Sequence, residues 1–205
     1  TNVSAVGYLK ISPNGEKIGI AHSFTAQNRI SGKAFLYDFD NITGMVSPAG
    51  TQLVAGTYPY GIEFSPKSRK LYITTSNYVT KRGQESFEGS NLYQFNVEAP
   101  NVLGTKVEIS KSGTLFAGAL QLALNGKIYR AKSSAGGGES SLAVINRPEL
   151  EGKAVNYDSN GARLAGNTFS GYGLPPFVSS AFILTFDFEF TCIGDETHFF
   201  ITSDD

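Results

Sequence analysis

The chain has 205 residues, in which 17 Lys and Arg nearly balance 18 Asp and Glu without clustering. That balance leaves no electrostatic footprint for nucleic acid or an anionic membrane surface, and no apolar run approaches the roughly 18 residues of a bilayer-spanning helix. Cys192 is the only cysteine, which excludes an intrachain disulfide and a thiolate metal cluster.

Gly, Tyr, Phe, Ser and Thr are abundant and Trp is absent, a composition suited to short strands and many turns. In chain order, strands are predicted at 8–11 and 17–21, joined at Pro13-Asn14-Gly15, where Asn-Gly suits a two-residue hairpin turn. A third strand at 34–40 ends in the turn Asn41-Ile42-Thr43-Gly44. A fourth starts at Met45-Val46 and continues towards Leu53 and Val54. The same order recurs at 60–64, 71–74, 92–97 and 102–109. It recurs again at 120–122, 128–131 and 142–145, with a weaker strand near 155–157. No helix is predicted, because apolar residues at helical spacing with caps are missing. The long inserts 24–32, 77–90 and 133–140 each join a unit's second strand to its third. They read as loops emerging on one face, where a binding surface could form.

The repeat is explicit in the residues. Gly7-Tyr8-Leu9-Lys10-Ile11-Ser12-Pro13-Asn14-Gly15 returns as Tyr60-Gly61-Ile62-Glu63-Phe64-Ser65-Pro66, and then as Gly118-Ala119-Leu120-Gln121-Leu122 with Gly126-Lys127-Ile128-Tyr129. A period of about 50 residues predicts an all-β fold, a β-propeller with three recognisable four-stranded blades. Only 171–177 remain to begin another blade. Four blades are the smallest usual closed ring. The chain therefore reads either as part of a larger propeller or as a small ring closed by its tail.

These runs, with the hairpin Leu36-Tyr37-Asp38-Phe39-Asp40-Asn41-Ile42-Thr43-Gly44-Met45-Val46-Ser47 and the later Gly173-Leu174-Pro175-Pro176-Phe177, form an ordered series. The series resembles the propeller region of large type IX-secreted, gliding-motility-associated bacterial surface proteins. The resemblance covers nearly the whole chain. It implies the C-terminal part of a seven- or eight-bladed ring over 1–180. It also implies a linker and the first strand of a PKD-type, immunoglobulin-like domain over 181–205, opened by Cys192-Ile193-Gly194-Asp195. Export through a C-terminal sorting domain outside this chain, and a secreted or cell-surface location, follow from the same resemblance. Leu124 stands where Pro is usual and Arg130 where a small or apolar residue is usual, which puts the local turn in question.

Lys10, Glu63 and Gln121 hold the same position in the three inner strands, each flanked by apolar residues. They read either as a channel ligand site or as a layer whose members satisfy one another, Lys10 with Glu63. Asp38, Asp40 and Asn41 look like a fragment of a calcium loop but lack the distal Glu, so a turn with backbone N–H acceptors is expected. His22 and His198 have no metal-ligand spacing, and no nucleophile elbow, phosphate loop or Cys/His dyad occurs. Asn2-Val3-Ser4 and Asn41-Ile42-Thr43 are glycosylation sequons by pattern alone.

The leading expectation is a non-catalytic scaffold, adhesion or ligand-binding module without a cofactor or metal, meeting a protein or glycan ligand at the long-insert face. Tyr78, Arg82 and Phe87 are the aromatic and Arg candidates there. Two alternatives stand beside it. A lactonase-like propeller hydrolase would have to draw on Lys10, Glu63, Arg130 and His22. A passive spacer would bind nothing.

Overall fold

The computed structural model describes residues 6–26, 29–175, 186–189 and 198–201. Three antiparallel sheets follow one another along the chain. The first contains β1 (Val6–Ile11), β2 (Lys17–Ala26) and β3 (Arg29–Asp40), with β4 (Met45–Val46) and β5 (Thr51–Ala55) both paired to β3. The second is β6 (Tyr58–Phe64), β7 (Lys70–Lys81), β8 (Gln84–Asn96) and β9 (Val107–Ser112). The third begins with β10 (Leu120–Leu122) and β11 (Ile128–Arg130). A small hairpin, β12 (Ser133–Ser134) with β13 (Gly137–Gly138), precedes its outer strands β14 (Ser141–Ile145) and β15 (Tyr157–Arg163). The all-β reading and the three repeated units agree with the sequence. Of residues 181–205, the structure describes β16 (Phe186–Glu189) paired with β17 (His198–Ile201). Cys192-Ile193-Gly194-Asp195 and the sequon at Asn2 lie outside the described residues.

Three local expectations are corrected. The first-repeat turn is not a two-residue hairpin. Gly15 N–H donates to the Ser12 carbonyl over 2.8 Å, and Lys17 N–H donates to Ser12 Oγ over 2.9 Å. Within this turn only Gly15 is left-handed, at φ 72°. The turn recurs with Ser68 at φ 60° and Gly126 at φ 74°, so Leu124 does not disturb it. The second correction concerns residues 102–106. A 3-10 turn, Leu103–Thr105, occupies this stretch, and the strand starts only at Val107. Asn101 Oδ1 accepts Gly104 N–H, and Thr105 Oγ1 donates to the Val102 carbonyl, so side chains capture the backbone before it can extend. Third, the inserts at 24–32 and 77–90 are largely not loops. β7 and β8 stay paired out to Lys81 and Gln84, turning through Arg82 and Gly83. The alternating Tyr78-Val79-Thr80 run fits a strand, whose period is two.

Alternation along the strands decides how the sheets stack. One face of the second sheet carries Ile62, Phe64, Leu71, Ile73 and Phe95 and packs with Ala21, Ala34, Leu36, Leu53 and Val54 of the first. Large side chains meet small ones here: a Cβ on Gly19 would lie 2.9 Å from Ile62 Cδ1. The other face of the second sheet carries Tyr72 and Leu92 against Leu120, Leu122, Ile128 and Ile145 of the third. Ile62 and Phe64 are 0% exposed, Leu120 is 0% and Leu122 is 5%. At the matching positions of the first sheet, Leu9 is 56% and Ile11 50% exposed.

Hydrogen bonds tie the second sheet to the third. Tyr72 Oη donates to the Pro148 carbonyl over 2.7 Å and accepts from Gln94 Nε2 over 2.7 Å, while Gln94 Oε1 accepts Gly152 N–H over 3.0 Å. Burial pushes the Tyr72 hydroxyl up, so it stays a donor. Tyr72→Phe leaves a buried carbonyl and a buried amide without this partner. It is expected to cost about 1–3 kcal/mol, measurable as a lower urea midpoint at unchanged slope.

Candidate functional site

The inner strands β1, β6 and β10 bring Lys10, Glu63 and Gln121 together. Lys10 Nζ lies 2.8 Å from Glu63 Oε2 and donates to Gln121 Oε1 over 2.7 Å. Glu63 also accepts the N–H of Leu122 and of Phe64, each over 3.0 Å. Burial raises the Glu63 carboxyl, and Lys10 with these N–H groups offsets that in part. The layer predicted from the repeat therefore forms, and its members bond to one another.

The remaining candidate acid–base groups point elsewhere. His22 pairs in register with Gly7, and β1 alternation places it on the opposite face from Lys10, where its ring stacks on Phe35 at 6.0 Å. Arg130 pairs with Leu120 rather than Gln121, which turns it towards the second sheet. It is 1% exposed and donates to Ser90 Oγ, Tyr157 Oη and the Phe116 carbonyl, while its Nε has no hydrogen-bond partner. Among the described residues no three His, Cys, Asp or Glu group as metal ligands. Asp40 Oδ1 accepts the N–H of Ile42 and Thr43, which, with the Thr43 hydroxyl first, hold its carboxyl below the ordinary range.

An aromatic-walled cavity of about 340 Å³ opens at the end of β6 away from Glu63. Tyr58, Tyr60, Tyr78, Phe116 and Tyr172 line it, with Val6, Ala117 and Ser76 between them. The rings form a continuous chain: Tyr8–Tyr60 at 5.4 Å, Tyr60–Tyr172 at 6.4 Å and Phe116–Tyr172 at 5.6 Å. It continues through Phe87–Phe116 at 4.6 Å, Tyr78–Phe87 at 5.6 Å and Tyr58–Tyr78 at 6.1 Å. Most neighbours meet edge to face or tilted, the favoured geometries for quadrupolar rings. The segment after the third sheet is pinned across this mouth. The Tyr172 carbonyl accepts Ala119 N–H over 2.8 Å, and Tyr8 Oη accepts Leu174 N–H over 3.3 Å.

The structure therefore places the predicted aromatic candidates in two roles. Tyr78 lines the cavity, and Phe87, its register partner, backs it by packing on Phe116. Arg82 sits exposed at the hairpin tip and does not line the cavity. Tyr58, Tyr60, Phe116 and Tyr172 were not singled out from the sequence. The available signal was Tyr58-Pro59-Tyr60 at the start of an inner strand, which must lie at the same end as the β7–β8 hairpin.

No family model and no curated protein matches the chain. Solved structures similar to it at low identity include the following two. One is a periplasmic gluconolactonase from Pseudomonas aeruginosa, with 14% identity and a TM-score of 0.45, matched over 85% of this chain and 46% of that one. The other is a candidate 6-phosphogluconolactonase from Bacteroides uniformis, with 14% identity and a TM-score of 0.43, matched over 95% of this chain and 47% of that one. The chain thus spans about half the length of each.

Proposed function

We propose that this chain is a non-catalytic ligand-binding module made of consecutive β-propeller blades, in a secreted or cell-surface protein of the kind the sequence resembles. One contrast supports binding over hydrolysis. The cavity is walled by aromatic rings and hydroxyls, while the one acid–base pair of the inner strands is buried and engaged with itself. General acid–base catalysis needs a group within hydrogen-bond reach of the reacting atom. Lys10 and Glu63 do not line the cavity, and His22 and Arg130 face away from them.

The ring reading rests on the open face of the first sheet. Leu9 and Ile11 repeat positions that the second and third sheets bury against the preceding sheet. A further blade presenting small residues, as the first sheet does to the second, would cover them. The partner chemistry is the existing interface repeated by one unit, within a larger ring.

The test pairs two measurements on one preparation. The first is ligand titration followed by tyrosine fluorescence, which is clean because the chain has ten Tyr and no Trp. The second is hydrolysis of a sugar lactone followed by pH-stat. Saturable binding without hydrolysis above background is the expected result. Hydrolysis that Glu63→Gln abolishes would overturn the reading in favour of a lactonase-like hydrolase. Neither binding nor hydrolysis would leave a passive spacer.

A further inference from the structure

We infer that the aromatic cavity takes a neutral pyranose ring, the terminal or exposed sugar of a glycan; this inference rests on the binding-module reading above. Three features of the cavity converge on that chemistry. Among the described residues no Asp, Glu, Lys, Arg or His lines it, so none of these would compensate a desolvated charge on the ligand. Its walls are ring faces and edges, which match a ligand with C–H faces. The polar side-chain groups of its described lining residues are hydroxyls: the phenols of Tyr58, Tyr60, Tyr78 and Tyr172, with Ser76, which is 1% exposed and accepts Ala117 N–H. A hydroxyl both donates and accepts, and so complements another hydroxyl. A pyranose combines C–H faces with a rim of hydroxyls.

The protonation state fits. Burial, reinforced by neighbouring phenols, raises Tyr58, Tyr60 and Tyr78, so these hydroxyls remain neutral donors. The volume, about 340 Å³, falls at the lower end of the about 300–1,000 Å³ of small-ligand sites.

Two neighbouring chemistries fit less well. A quaternary ammonium would use the rings but would leave the hydroxyls without partners. A phosphorylated or acidic sugar would bring its charge against walls on which no described residue is a cation. Arg130, at 1% exposure, is sealed from the cavity by those walls.

Three probes separate these outcomes: methyl β-D-glucopyranoside with cellobiose, tetramethylammonium, and glucose 6-phosphate. Each is titrated into the chain by tyrosine fluorescence and by ligand-observed saturation transfer. The neutral glycosides are expected to bind saturably. Tyr172→Ala, in the exposed segment after the third sheet, is expected to weaken them about tenfold or more, as loss of an aromatic anchor does. Tyr58→Ala supplies a second lining variant, and Ile42→Ser, 92% exposed in the β3–β4 turn, is the control whose affinity stays put. Thermal melts of all three confirm that binding is compared between folded proteins. Binding of tetramethylammonium or glucose 6-phosphate in place of the glycosides overturns the sugar assignment while the binding-module reading stands. Glycoside binding that neither tyrosine variant weakens overturns the site. Silence from all three probes also overturns the assignment. The binding-module reading falls separately, on lactone hydrolysis abolished by Glu63→Gln.

Discussion

Glu63→Ala is expected to destabilise the fold by about 3–5 kcal/mol, the cost of removing one partner from a buried ion pair. Glu63 is 4% and Lys10 9% exposed, so water cannot rehydrate the ammonium left behind. Three donors converge on this carboxylate from three segments: Lys10 Nζ, Leu122 N–H and Phe64 N–H. Its loss loosens the meeting point of all three inner strands. The double variant Lys10→Met/Glu63→Leu should recover most of the loss, because matched apolar replacement of a buried pair is often neutral or better. Urea unfolding of both proteins decides the matter. A Glu63→Ala midpoint equal to that of the parent would show that the pair does not hold the strands.

The same residue sets a pH dependence. Burial raises the Glu63 carboxyl above its ordinary value of 4.5. Between that value and the folded one, the native state holds a proton that the unfolded chain has released. Stability then falls with rising pH. The carboxyl's contribution is complete below pH 4.5 and is lost as pH rises through the folded value. Glu63→Gln should flatten that decline in urea midpoints measured across the interval. An unchanged slope would mean that another group titrates there.

The polar layer was legible because a repeat carries position with it. Once Leu9-Lys10-Ile11, Ile62-Glu63-Phe64 and Leu120-Gln121-Leu122 align, strand alternation puts the three polar side chains on equivalent faces of strands that must converge. The cavity was not legible in this way. Its walls come from β1, β6, β7, the connection before β10 and the segment after β15; Tyr58 and Phe116 hold matching repeat positions, but these lie just before the aligned runs, and Tyr78 and Tyr172 lie outside those runs altogether. Tyr78 and Phe87 are visible in the sequence as residues of an insert, but its composition reads as a loop. Strand pairing through Tyr78 and Phe87 is what aims them at Phe116. The 3-10 turn at 103–105 was hidden for a different reason. Apolar Val102 and Leu103 suggest a strand, and only the local bonds of Asn101 and Thr105 divert the backbone.

Phe64→Ala and Ile11→Ala, at matching positions of the repeat, are expected to behave oppositely in this chain. Phe64 is 0% exposed beneath the first sheet, and its truncation should cost about 3–5 kcal/mol through lost burial and the cavity left behind. Ile11, at 50% exposure, should cost less than about 1 kcal/mol, because half of its side chain already meets water. Urea unfolding of the two variants side by side measures the difference directly. Comparable losses would mean that the first sheet's outer face is covered in solution even in this chain, and a rise in that loss with protein concentration would identify a second copy as the cover. The contrast also dates the asymmetry to the tertiary level rather than to the sequence. The two positions carry side chains of similar hydrophobicity in the same strand context, so only the presence or absence of a stacked sheet separates them. A longer polypeptide that stacks a further sheet on Leu9 and Ile11 should bring the Ile11→Ala cost up to the about 2–5 kcal/mol of a buried large-to-alanine change, while the Phe64→Ala cost stays where it is.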